Sequence, residues 1–365
     1  MARFLPPLLI AAIAALFACA PPVLADPPVG FGRATTGGGA GPPCHVRDEA
    51  SLRACMAGEG RAVTVMDRPL TFNPGKQKIA VGSNKTIDGG GGLSIVHDWI
   101  AFDLDGSRNV IIRGVRFRGS GADVFPQKQS NCAHPSRPKD VEGCGVSISM
   151  EGATRNVWID HNTFDACGNK CVTGYGFNRG AGPIASPDLI TISFNVFRDS
   201  YFAMLFGVSY DVSDAQAPAQ PGRVTLYGNL FERVKARSPR AASGYQVHVF
   251  NNVIKDFGGP DGCKSTSFGF GPSVINGGEI LLENNVIEAW PSPSACKQAD
   301  DFAARNRTEA TLRRGPGRIR SVGNLGRNGA VAEGDDQVFT PDYRYSPAPA
   351  GQVEAYVRAN AGVRP

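Results

Sequence analysis

No segment beyond residue 25 approaches the ~20 consecutive apolar residues that a bilayer-spanning helix requires, so helical membrane spans are excluded for the body of the chain. No amphipathic helix of useful length runs through its middle, which excludes a helical bundle. An excess of one charge is also lacking: 38 Lys and Arg against 33 Asp and Glu leave a formal +5. Such a balance permits an anionic partner without demanding one, and no nucleic-acid partner is expected. Charged residues make up only 19% of the chain, whereas 45 glycines and 27 prolines make it rich in turns. This composition points to an all-β protein.

Residues 1–25 read as an export signal. Arg3 supplies the positive start, Leu8 to Phe17 the apolar run, and Val23-Leu24-Ala25 a small-residue cleavage site before Asp26. A competing reading takes Leu16-Phe17-Ala18-Cys19 as a lipoprotein box with Cys19 as the anchor, although Phe17 fits that box poorly. Either way the chain is expected outside the cytoplasm, secreted or periplasmic. Loss of the leader leaves Cys44, Cys55, Cys132, Cys144, Cys167, Cys171, Cys263 and Cys296. Their spacings match no common zinc module, and an even number in an exported chain argues for disulfides. Proximity alone suggests Cys44–Cys55, Cys132–Cys144, Cys167–Cys171 and Cys263–Cys296.

A repeated unit decides the architecture. Asn162, Asn195, Asn229, Asn252, Asn285 and Asn324 each follow a pair of residues three and five places earlier, such as Val157 and Ile159, Ile190 and Ile192, or Val224 and Leu226. This is period-two alternation with inward β-branched residues, so each copy is a strand ending in a turn. Val110 and Ile112 before Gly114 form an earlier copy without the Asn, and Phe117, Phe164, Phe197 and Phe231 follow the turns. The shortest spacing, from Asn229 to Asn252, fits one bare coil of a parallel β-helix; the longer ones fit coils carrying loops at about 118–145, 166–188 and 208–223. Stacked coils would place the asparagines in register, bonded up the stack. Asp48 to Ala57 is expected to form a short helix capping the first coil. The tail from about residue 330, clearly so from Phe339, loses the repeat and is expected to pack on the outside. One domain over residues 26–365, acting as a monomer, is the expected organisation.

The segment from Val224 to Asn252 carries Arg233, Lys235, Arg237 and Arg240 between two strand patterns, with Pro239 stiffening the backbone. The plain reading of such a run is a solvated loop; the functional one is a site for an anionic substrate. Gly30-Phe31-Gly32, Thr35-Thr36-Gly37-Gly38, Ser83-Asn84-Lys85-Thr86-Ile87, Asn109-Val110-Ile111-Ile112-Arg113, Val157-Trp158-Ile159-Asp160-His161, Met204-Leu205-Phe206-Gly207 and Arg237-Ser238-Pro239-Arg240 resemble, in order, the signatures of the pectate lyase superfamily, polysaccharide lyase family 1. The resemblance implies a single-stranded right-handed parallel β-helix with a substrate groove along one sheet. It also implies an acidic polysaccharide as partner.

Eliminative cleavage of a uronan removes the C5 proton, α to a carboxylate, and expels the C4 oxygen. A metal ion or cationic side chains must offset the carboxylate charge, and a base must reach C5. The resemblance places that base at Arg237, with Arg240, Lys235 and Arg179 as substrate-binding cations. Arg233, Lys235 and Arg240 are candidates for favouring its neutral form. Calcium is the usual family cofactor, but Gly145 and Ser147 stand where an Asp-x-Asp pair is expected, and later acidic ligands fall on Asn178 and Gly182. Asp140 and Glu142 lie nearby, outside the strand register. No metal ligand is therefore assigned. Phe202 replaces a substrate-binding Lys, and Ala242 an Arg. Lys170 and Arg179 lie where a metal-independent member would place its cations. His161 is expected to face inward with a structural role. The alternatives are a β-helix that binds carbohydrate without cutting it, or a lyase turned to another polysaccharide. An inverting glycoside hydrolase is poorly supported, because no Asp trio clusters on the repeating strands.

Overall fold

The alternating aliphatic pairs become strands because β-branched residues fit a pleated surface buried on one face. The computed structural model describes residues 28–119, 145–175, 185–207, 220–258, 271–290, 317–328, 330 and 334–364. Successive coils contribute parallel strands to three sheets. The first sheet includes Arg155–Asp160, Asp188–Ser193, Arg223–Tyr227, Gln246–Phe250 and Glu279–Glu283. The second includes Thr163–Asp165, Leu230–Ala236 and Val253–Phe257. The third includes Ile148–Glu151, Lys170–Tyr175, Arg240–Ala241 and Ser273–Val274. Val196–Phe206 bends from the second sheet into the third. The architecture is the expected right-handed parallel β-helix, the hand that parallel crossovers adopt.

Equivalent residues stack. Val110, Val157, Ile190, Val224, Val247, Ile280 and Ile319 are register partners from coil to coil and form one buried row. Phe117, Phe164, Phe197 and Phe231 form a second, with ring centroids 5.0, 4.6 and 4.9 Å apart and nearly parallel planes. The asparagines form a third. The backbone N–H and Nδ2 of Asn162, Asn195, Asn229, Asn252 and Asn285 each donate to Oδ1 of the next, at 2.8–3.0 Å, ending on Asn324. At the copy without Asn, the Val115 N–H donates directly to Asn162 Oδ1.

The residue before each ladder asparagine has left-handed backbone, for example His161 (φ 50°), Phe194 (49°), Gly228 (68°) and Asn251 (51°). A non-glycine residue there costs roughly 1 kcal/mol, which the buried ladder offsets. The 23 residues from Asn229 to Asn252 hold a strand of every sheet, confirming the bare coil. The expected insertion at 166–188 is partly structure: Lys170–Tyr175 is a third-sheet strand. It was hidden because third-sheet strands lack the Asn-terminated repeat.

The termini close the molecule. Helix Glu49–Met56 is capped by Asp48, whose carboxylate accepts from the Ser51 N–H, and it buries Leu52, Cys55 and Met56. Disulfides join Cys44 to Cys55 and Cys167 to Cys171; the other two suggested pairs lie outside the described residues. The segment from Val29 to Gly38 straps the outer face of the first sheet through Thr225, Thr191 and Thr86. A Cβ at Gly32 would lie 2.8 Å from the Thr191 nitrogen, which explains glycine there. The tail runs against the first sheet: Phe339 N–H donates to Glu279 at 2.9 Å, and Tyr343 and Tyr345 lie over His248. It also contains a helix, Ala350–Asn360, that the sequence did not disclose.

Candidate functional site

After strand Leu230–Ala236 the chain turns through Arg237 in left-handed conformation (φ 62°), crosses a cis Ser238–Pro239 bond and enters the two-residue strand Arg240–Ala241. Alternation then decides the side chains. Ala241 points into the core, and Arg240 stands on the outer face beside its register partners Leu205 and Ser273. Arg240 Nε donates to Ser273 Oγ at 3.0 Å, and the side chain is only 2% exposed. The guanidinium carbon of Arg237 lies 3.9 Å from the centroid of the Phe202 ring.

Two more cations share this arrangement. Lys235 Nζ is 5.1 Å from the Tyr201 centroid, and Lys170 Nζ 5.2 Å from that of Tyr175. Lys170 and Phe202 are register partners, one coil apart. A cation over a ring face gains about 0.5–2 kcal/mol, more as water is removed. Burial raises the Tyr201 phenol's pKa further than the nearby Arg237 guanidinium lowers it, so its hydroxyl keeps its proton. Beyond Arg240 the face becomes apolar, where Tyr175, Leu205, Ala242 and Ile275 cluster. The structure thus brings Lys235, Arg237 and Arg240 onto or beside the third sheet, with Lys170 close by. Arg179 lies outside the described residues.

The positions expected to carry metal carboxylates offer none. Gly145 has no side chain, and a Cβ there would lie 2.5 Å from the Gly168 nitrogen. Ser147 is fully buried, and its hydroxyl bonds His97 Nε2 at 3.0 Å. Burial pushes the His97 pKa down to about 4, while the Trp99 carbonyl, 3.1 Å from Nδ1, opposes that shift. A neutral His97 with its proton on Nδ1 satisfies both contacts. Among the described residues no group of three or more His, Cys, Asp or Glu side chains is placed to hold a metal ion. Asp140, Glu142, Asn178 and Gly182 lie outside them. The described residues at these positions do not fit calcium, and no step below is routed through it.

Two expectations need correction. Arg233 does not serve Arg237: its guanidinium forms a two-pronged pair with Asp199 at 2.6 and 2.9 Å, which raises its pKa. It points there because Arg233 and Asp199 occupy matching left-handed corners of adjacent coils (φ 51° and 50°). His161 does not face inward. The same backbone geometry turns its ring outward onto Phe194, with centroids 5.2 Å apart, while Nδ1 pairs with Asp160 at 2.6 Å. Asp160 in turn accepts from Ser193 at 2.5 Å. These contacts lie on the other side of the sheet from the one expected. The rings of Tyr175 and Tyr201 were missed. The only linear signal is that Tyr201-Phe202 immediately precedes Ala203-Met204-Leu205.

A family model described as pectate lyase matches residues 66–364. Probable pectate lyase 6 of Arabidopsis thaliana is 33% identical over 244 residues, covering 63% of this chain and 49% of the relative. A pectate trisaccharide-lyase from Thermotoga sp. (strain RQ2) is 33% identical over 238 residues, covering 63% and 58%. The matched region thus spans about half the length of these relatives. The major allergen of cedar pollen superposes with a TM-score of 0.66 at 20% identity, over 93% of this chain and 94% of that one. A pectate lyase bound to a hexasaccharide gives 0.64 at 19%, over 92% and 96%. At such identities the superpositions speak to fold alone.

Proposed function

The chain belongs to the pectate lyase family, and from that premise we propose that it is an exported polysaccharide lyase cleaving pectate, pectin or a related uronan by β-elimination. The observation that carries this reading is the Arg237-Ser238-Pro239-Arg240 segment, which sets one guanidinium on the Phe202 ring and the other on the outer face beside Ser273. In the reaction the C5–H bond breaks and its proton passes to Arg237, acting as the neutral guanidine. The freed electron pair forms the C4–C5 double bond as the C4–O bond breaks, and the leaving oxygen takes a proton from water. Arg240, oriented by Ser273, is the cation assigned to the substrate carboxylate. Lys235 adds positive charge where the carboxylate becomes more electron-rich. Export is supported by the leader at residues 1–25 and by the two disulfides. Among the described residues no helix is long and apolar enough to cross a membrane.

A second reading, a β-helix that binds acidic polysaccharide without cutting it, is favoured by Phe202 and Ala242 at positions expected to carry Lys and Arg. One experiment separates the two. Purified protein is incubated with polygalacturonate and with methylated pectin, with and without chelator, following absorbance of the unsaturated product. The lyase reading expects product on at least one polymer, with most of the rate kept in chelator. Binding without product would establish the second reading. Complete, calcium-reversible loss in chelator would return the metal to the mechanism.

A further inference from the structure

Where the coils leave the third sheet and enter the first, the corner carries a second cationic row. Arg108 and Arg155 are register partners, and Asp188 follows Arg155 on the next coil. With Arg223, Gln220 and Gln246 they line one open depression of about 570 Å³. Asp188 is the single acid among its described lining residues, against three arginines. The fold accounts for only one of these cations. Arg223 holds Asp188 with two bonds, at 2.9 and 2.7 Å. Arg155 reaches the same carboxylate only at 3.6 Å, with its side chain 46% exposed. Arg108 has no ion pair among the described residues.

A surplus of guanidinium groups in a depression suits an anionic ligand, and its geometry narrows the class. Coils repeat at about 4.8 Å along the axis, so the row presents donors in a line, as a polymer requires. Guanidinium forks match carboxylates, and Gln220 and Gln246 can exchange hydrogen bonds with hydroxyl groups. The depression shares no lining residue with the Arg237–Arg240 face. We infer that it is an accessory groove for a carboxylated glycan chain, running parallel to the third-sheet site and holding the polymer while that site acts. The inference rests on the uronan reading above.

Native electrophoresis through gels containing polygalacturonate, fully methyl-esterified pectin or dextran sulfate tests it. Full-length protein carrying Arg237→Lys and Arg240→Ala serves as the parent, so that the third-sheet face contributes equally throughout. Adding Arg108→Gln and Arg155→Gln should weaken retardation by polygalacturonate about three- to tenfold, the scale of two exposed charge contacts. An unchanged melting temperature checks the fold, and Arg108→Gln alone supplies a second variant should the combination fold poorly. Equal retardation of parent and variants would overturn the groove, as would equal retardation by the esterified polymer. A loss confined to dextran sulfate would assign it to another polyanion and overturn the carboxylate. If wild type cleaves polygalacturonate while the arginine variants change nothing, the groove alone fails. If wild type neither cleaves nor is retarded, the functional reading fails with it.

Discussion

At the corners flanking the second sheet, and at one point on the entry edge of the first, an arginine meets an aspartate from the coil before it. Arg113 pairs with Asp88, Arg198 with Asp165, Arg223 with Asp188 and Arg233 with Asp199. On and beside the third sheet three cations lie over rings, Arg237 on Phe202, Lys235 on Tyr201 and Lys170 on Tyr175. A paired carboxylate fixes a cation and cancels its charge. A ring fixes it through a quadrupole and leaves the formal charge in place. The stack thus anchors cations through carboxylates along one edge and sets them over rings along another, although every coil passes through both.

The sharpest way to break this contrast is Arg237→Lys, which keeps the charge and changes the geometry. If Arg237 removes the C5 proton, turnover should fall by about 10²–10⁴-fold, whereas the melting temperature should hold. Arg240→Ala should raise KM more than it lowers kcat, because a grip on a carboxylate acts in both the ground and transition states. Near-normal kcat in Arg237→Lys would remove it as the base and leave the ring-borne cations a binding role.

The opposite pattern is expected at the asparagine ladder. Asn229 donates from Nδ2 to Asn252 Oδ1, to the Ile192 carbonyl and to the Tyr227 carbonyl, and its own Oδ1 accepts from Asn195. Asn229→Ala strands several buried groups and should cost about 3 kcal/mol in denaturant unfolding, with no specific change in KM. Asn324 ends the ladder in a half-buried position, so Asn324→Ala should cost about 1 kcal/mol. Equal costs at the two positions would show that the bonds do not act as a buried stack.

The same contrast separates what the sequence disclosed from what it did not. Ladder residues recur at a fixed offset from their strands, so register, inward rows and turns could be read from position alone. The short helix within residues 48–57 was also legible, as were the Cys44–Cys55 and Cys167–Cys171 pairs from their close spacing. The third-sheet contacts join residues across coils of unequal length, as Lys170 does with Phe202 or Ser147 with His97, 50 positions away. Left-handed corners reverse where a side chain points, which placed Arg233 and His161 wrongly. Helix Ala350–Asn360 buries only Val353 and Val357, too narrow a stripe to stand out in its sequence.

The smallest expected effect concerns the two buried histidines, one at each region. His97 sits beside the third sheet between a hydroxyl and a carbonyl, with no carboxylate bonded to its ring. His248 lies on the first sheet between Tyr343 and Glu283, at 2.5 and 2.8 Å. Burial lowers both pKa values, His97 to about 4, while Glu283 opposes the shift at His248. A histidine depressed in the folded state favours folding at high pH. As pH falls below ~6.5 the unfolded chain takes up a proton that the folded chain refuses, so stability declines until about pH 4. For His97 the decline between pH 7 and pH 5 should be about 2 kcal/mol. His97→Gln can meet both Ser147 and the Trp99 carbonyl without titrating, so its unfolding free energy should lose that part of the pH dependence. His248→Gln should remove less, because Glu283 already favours the charged ring. A larger loss for His248→Gln than for His97→Gln would mean that the first sheet's carboxylates do not offset charge as they do in its arginine pairs, and the contrast between the two regions would fail there.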